Sequence, residues 1–135
     1  MLTPMNSVAQ KIEEYKWRNR IVFLVDDSFD SVSLRQQQDL FREEEKAMLE
    51  RDLILFLTDG KSVLDNNGNP LIIAIETLQS VARISPDFKG VVLLGKDGGY
   101  KLKKDFLIEP KEIFGLIDKM PMRLFEMANK LKIKY

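Results

Sequence analysis

Besides the ambiguous run Leu71 to Ile75, apolar residues come in three short blocks without polar interruption, Ile21 to Val25, Leu53 to Leu57 and Val91 to Leu94, and elsewhere they recur at helical spacing. Such β-branched and aromatic blocks read as strands buried on both faces. The first spans Arg20-Ile-Val-Phe-Leu-Val25 and the second Leu53-Ile-Leu-Phe-Leu-Thr58, each ended by an acidic break, Asp26-Asp27 and Asp59-Gly60. The third leads into Asp97-Gly98, a favoured two-residue hairpin turn, and then into Tyr100 to Lys104, where apolar and charged residues alternate.

Helices are expected between these blocks. Val8, Ala9, Ile12 and Tyr15 suggest a leading helix over 7–17, with Asn6 or Ser7 as cap and Trp17 closing its inner face. Ser31 or Ser33 would cap a long helix to about Arg51 with Leu34, Leu40, Phe41, Ala47 and Met48 in its buried stripe. Gln36 to Gln38 and Glu43 to Glu45 fall mostly outside that stripe. Ser62 to Pro70 reads as loop, Leu71 to Ile75 as strand or helix, and a helix is favoured from about Glu76. Pro110 opens a helix with Ile113, Phe114 and Ile117 inside, and Pro121 opens a last one to about Leu131.

Strands separated by helices call for a parallel sheet, while the closing hairpin must be antiparallel. The expected fold is α/β: a mixed four-stranded sheet with helices on both faces and extra helices at each end. The 135 residues suffice for one domain, with its core over about 20–120.

Composition narrows the chemistry. Twenty-one acidic and twenty-one basic residues cancel, so no overall field draws nucleic acid or an anionic membrane surface. Lys101, Lys103, Lys104, Lys130, Lys132 and Lys134 form a basic set without interleaved aromatics, and read as solvated surface. No apolar run approaches the roughly 20 residues a membrane helix needs. The first ten residues lack the basic start and apolar core of a signal peptide, which makes the chain as given cytoplasmic, or periplasmic or secreted had a signal been trimmed. With no cysteine and no histidine, thiol catalysis, imidazole bases and the usual zinc sites are excluded.

Four segments carry a family resemblance: Tyr15-Lys-Trp-Arg-Asn-Arg20, Arg51-Asp-Leu-Ile-Leu55, Gly95-Lys-Asp-Gly-Gly-Tyr-Lys-Leu102 and Ile117-Asp-Lys-Met-Pro-Met-Arg123. They resemble a bacterial thioredoxin-like domain family of unknown function, related to repeats in vertebrate equarin and sushi-repeat secreted proteins. The motif residues are Trp17, Arg20, Lys96, Asp97, Gly98, Met120, Pro121 and Arg123. The resemblance implies a thioredoxin- or peroxiredoxin-like scaffold. Where a redox member would carry Cys-x-x-Cys, this chain reads Asp26-Asp-Ser-Phe-Asp-Ser31, and the position of the usual cis-proline falls near Gly90. A cysteine-free binding or interaction module follows, needing no cofactor and recognising a protein.

The acidic breaks offer a rival. Asp26, Asp27 and Asp30 past a central strand could hold Mg²⁺. Phe23-Leu-Val-Asp-Asp-Ser28 also looks like the opening of a response-regulator receiver, with Asp59 as phosphoacceptor and Lys96 as its lysine, although such a domain needs another strand and helix before its acceptor. A helix cap accounts for the same acids and is the favoured reading. Asp65-Asn-Asn-Gly-Asn69 with Glu76 has calcium-loop spacing, but Pro70 stands where that loop needs glycine, and a solvated Asx turn is favoured. Met120, Met122 and Met127 read as core fillers rather than a soft binding surface.

Overall fold

A computed structural model describes residues 12–134, with side chains to residue 131. The expected leading helix lies mostly outside this range; Ile12 and Glu13 are helical and turns follow to Arg18. The elements are β1 (Arg20–Val25), α1 (Val32–Arg42), α2 (Glu45–Glu50), β2 (Leu53–Thr58), β3 (Val63–Asp65), β4 (Pro70–Leu71), α3 (Ile75–Ala82), β5 (Gly90–Leu94), β6 (Tyr100–Lys104), α4 (Pro110–Ile117) and α5 (Pro121–Lys134).

The three apolar blocks become the three central strands of one mixed sheet, ordered β4-β3-β2-β1-β5-β6. Because side chains alternate across a strand, β1 feeds two cores. Val22 and Leu24 pack with Leu34, Phe41, Met48, Ile113 and Ile117 of α1, α2 and α4. On the other face, Ile21, Phe23 and Val25 pack with Leu78 and Ala82 of α3 and with Ile12. Full burial of such side chains contributes about 1.5–3 kcal/mol each, which is why β1 tolerates no polar residue between its ends.

Four sequence expectations change. The sheet has six strands rather than four, because Ser62 to Pro70 is not all loop: β3 pairs antiparallel with β2 and β4 with β3. These strands are too short to show an alternating pattern.

β1 and β2 are parallel, in register Arg20 to Leu53 through Val25 to Thr58. β5, however, runs antiparallel to β1, Ile21 opposite Leu94 and Val25 opposite Gly90. The eight residues of α3 span only about 12 Å at 1.5 Å per residue. The chain re-enters the sheet from the end at which β2 left it, Thr58 and Gly90 both lying opposite Val25.

The long helix expected up to Arg51 is broken between α1 and α2. The restart places Glu45 in the first turn of a new helix, where a carboxylate is favoured, instead of stacking three glutamates inside a continuous one. Gln37, expected outside the stripe, is fully buried. Its amide accepts from Ile108 N–H and donates to Ile108 C=O, both at 2.8 Å, tying α1 to the segment that enters α4.

Candidate functional site

The sheet has two chemically distinct poles. At the carboxyl ends of β1 and β2, the acidic breaks meet the loop before β5 around a cleft of about 350 Å³. Asp26, Asp27 and Asp59 line it beside Lys89, over apolar Leu78 and Phe88.

Each acid has a local partner. Asp26 receives the Ser31 hydroxyl at 2.5 Å and the Asp27 amide at 2.7 Å. Ser31 in turn accepts from Leu34 N–H at 3.3 Å and caps α1. Asp27, exposed, holds Lys89 at 3.0 Å. That hydrogen bond and charge lower its carboxyl below the ordinary range, and Asp27 raises the Lys89 ammonium. Asp59 is a turn residue: burial alone would push its carboxyl up, but the amides of Ser62 and Lys61 donate to Oδ1, both at 2.9 Å, and lower it. Asp30 turns away to Arg35 at 2.9 Å.

Asp26, Asp27 and Asp59 thus share the cleft, while Asp30 stands apart. No group of three or more acidic side chains gathers as a metal centre among the described residues. Asp65, first in the calcium-like spacing, closes its own turn, with Oδ1 accepting from Asn67 and Asn69 amides.

Lys96 is not in this cleft. It follows β5 at the opposite pole, beyond the Arg20 end of β1. The phosphoacceptor constellation built from Asp26, Asp27, Asp59 and Lys96 therefore does not converge.

At that second pole the segments carrying the family resemblance come together. Lys96, buried, donates to Asp52 at 2.8 Å and to Glu126 at 2.7 Å. Arg20, 1% exposed, grips both oxygens of Glu126 at 3.2 Å and donates to Arg51 C=O at 2.8 Å. Arg51 makes a two-pronged contact with Asp118 at 3.1 and 2.8 Å, and Arg123 donates to the same carboxylate at 3.1 Å.

Asp97 and Gly98 shape the loop there. It runs over 95–99 rather than two residues, with Gly98 N–H returning to Gly95 C=O at 3.0 Å and Asp97 Oδ1 taking Gly99 N–H at 2.9 Å. Gly98, at φ +80°, adopts a conformation that side chains oppose. Trp17 does not close an inner face: it is 63% exposed, and its amide donates to Lys96 C=O at 2.6 Å. Met120 packs partly against the first core, whereas Met122 is exposed. Pro121 opens α5 as expected.

The sequence pattern alone gave no role to Asp52, Glu126, Asp118 or Gln37. The Arg123–Glu126 spacing, three apart on one helix, was the only local sign of Glu126.

Residues 11–126 match the family described as Domain of unknown function (DUF4174). The chain belongs to that family. Among solved structures, it is similar to thioredoxin peroxidase I of Plasmodium yoelii, at 17% identity and a TM-score of 0.50, covering 91% of this chain and 79% of that one. Prx1a of Plasmodium yoelii, modified at the N-terminus, gives the same identity and score over 92% and 80% of the two chains. No curated protein sequence matches. The thioredoxin-like fold expected from the four segments is therefore borne out, in a DUF4174 chain without cysteine. No helix among the described residues is long and apolar enough to cross a membrane.

Proposed function

We propose that this DUF4174 chain is a non-redox binding module, and that the cleft at the carboxyl ends of β1 and β2 receives a cationic side chain of a protein partner. The cleft itself carries the reading: Asp26, Asp27, Asp59 and Asp87 line it against the single base Lys89, over a floor of Leu78, Ile84 and Phe88. An apolar floor accommodates the methylene stem of a lysine or arginine while the rim holds its charge. Open α/β sheets commonly bind ligands outside the carboxyl ends of their strands. Thiol chemistry has no residue to carry it. Kinship with the repeats of secreted equarin and sushi-repeat proteins belongs to the same proposal and is in keeping with recognition of a protein.

The test is a titration of isotopically labelled protein with a lysine-serine peptide and with its glutamate-serine counterpart at fixed ionic strength. The lysine peptide should move the amides of Asp27, Asp59 and Phe88, and the Asp27→Asn, Asp87→Asn double variant should weaken that response. Equal response to both peptides, or none at this cleft, would overturn the reading.

A further inference from the structure

α5 turns its charges inward and its apolar residues outward. Arg123 is buried against Asp118 and Glu50 C=O, and Glu126, one turn on, is gripped by Arg20 and Lys96. A surface helix ordinarily does the reverse, with its apolar stripe on the core and its charges in water. Here Leu124, Ala128 and Leu131, spaced i, i+4 and i+7, lie outside, and Phe125 joins them three positions before Ala128. Leu124, Phe125 and Leu131 are each more than half exposed.

The ionisable groups bordering this stripe are left basic. Glu126 is the one acid of α5, which also carries Lys130, Lys132 and Lys134, and Arg20 and Lys96 occupy it. Asp118, just before the helix, is held by Arg51 and Arg123. Lys119 and Lys130 are exposed, and among the described residues neither has an acid partner. Although the charges of the whole chain cancel, positive charge therefore stands unneutralised at both ends of the stripe.

We propose that α5 lies along an anionic lipid surface, with Leu124, Phe125, Ala128 and Leu131 in the acyl boundary and the lysines among the headgroup phosphates. Outward apolar side chains bordered by lysine suit such a surface, because the lysine stems reach the charged layer while the stripe stays below it. The size of the stripe argues against a protein occupant. The exposed parts of its three large side chains come to roughly 300–400 Å², half of the roughly 800 Å² per partner in a stable protein interface. A bilayer needs no matched surface, since it closes around whatever apolar area is presented. The helix rests on the surface without crossing it, its fourteen residues being short of the roughly 20 required. This site is independent of the cationic-partner cleft at the other end of β1.

The experiment is flotation of the full chain with phosphatidylcholine vesicles and with vesicles of equal parts phosphatidylcholine and phosphatidylglycerol. Saturable binding to the anionic vesicles is expected, much weaker binding to the neutral ones, and a decline as salt is raised. Leu124→Gln with Phe125→Gln keeps good helix formers at exposed positions, so the thermal midpoint should hold while vesicle binding weakens at least about tenfold. Lys119→Gln with Lys130→Gln should weaken binding to the anionic vesicles severalfold and flatten its salt dependence. No binding to either vesicle would overturn the proposal, as would equal binding to both, or unchanged binding by the Leu124, Phe125 double variant with its midpoint held. A dimer in sedimentation that this variant abolishes, with no vesicle binding by the parent, would assign the stripe to a second copy of the chain instead. Should the midpoint of that variant fall, the lysine variant decides in its place: weaker binding supports the lipid surface and equal binding refutes it.

Discussion

Arg20 and Glu126, 106 positions apart, face each other through a two-pronged ion pair with both arms at 3.2 Å. One is the first residue of the central strand and the other lies midway along the last helix. Because the same carboxylate holds Lys96 at 2.7 Å, a single side chain bridges two buried cations, with Asp52 supplying the second negative charge, and fastens α5 to the sheet.

Removing that carboxylate should be costly. Glu126→Ala leaves Arg20 without its main counter-charge and Lys96 with Asp52 alone. Breaking a buried pair from one side costs about 3–5 kcal/mol; with Glu126 partly exposed, about 3 kcal/mol is expected, a fall in thermal midpoint on the order of 10 °C. Urea unfolding measures it. A loss below about 1 kcal/mol, the level of a surface pair, would mean that water already screens the network.

The same network sets an acid limit. Burial alone would raise the Glu126 carboxyl, but hydrogen bonds from Lys96 and Arg20 outweigh it and hold it below its ordinary 4.5. Asp118 is likewise lowered from 3.8, its burial outweighed by Arg51 and Arg123. The unfolded chain then binds more protons in that window, so this stability is complete above the unfolded values and is lost as pH falls through the folded ones. Glu126→Gln cannot ionise. Its deficit against the parent should therefore be largest near about pH 7 and shrink towards about pH 3, as urea midpoints across that range would show; a constant deficit would contradict the pairing.

Gln37 makes a different kind of tether. Gln37→Leu keeps an apolar volume in place but leaves Ile108 N–H and C=O without their 2.8 Å partners. At about 1–3 kcal/mol per stranded group, the loss should reach about 2–6 kcal/mol. Hydrogen exchange should show the Ile108 amide losing protection first. Unchanged protection there would show that water replaces the side chain.

How much of this was legible follows from what decides each element. β1, β2 and β5 announce themselves because strands buried on both faces need unbroken apolar residues, and Pro110 and Pro121 mark helix starts by local rules. Gln37 could not be read, since its burial depends on a backbone group 71 positions away. β3 and β4 are set by pairing with β2 rather than by their own pattern. The candidate site divides likewise. Asp26, Asp27 and Asp59 were legible as residues ending parallel strands, whereas the Lys96 pole required knowing that β5 runs backwards beside β1. Its partners Asp52 and Glu126 come from elements distant in sequence.

Two glycines test the backbone in opposite senses. Gly90 starts β5 at φ +146°, and a Cβ there would collide with the Lys104 carbonyl of β6. Backbone cannot yield as a flexible side chain can, so Gly90→Ala should cost more than about 2 kcal/mol through strain and a displaced strand pair. Gly115 lies inside α4, is exposed, and a Cβ added there would meet nothing within 4 Å. At that position alanine adds helix propensity and restricts the unfolded chain, so Gly115→Ala should stabilise by about 0.5–1 kcal/mol. Urea midpoints of the two variants should move in opposite directions, and a Gly90→Ala midpoint that rose together with that of Gly115→Ala would show that the β5–β6 approach is looser than the Gly90 geometry requires.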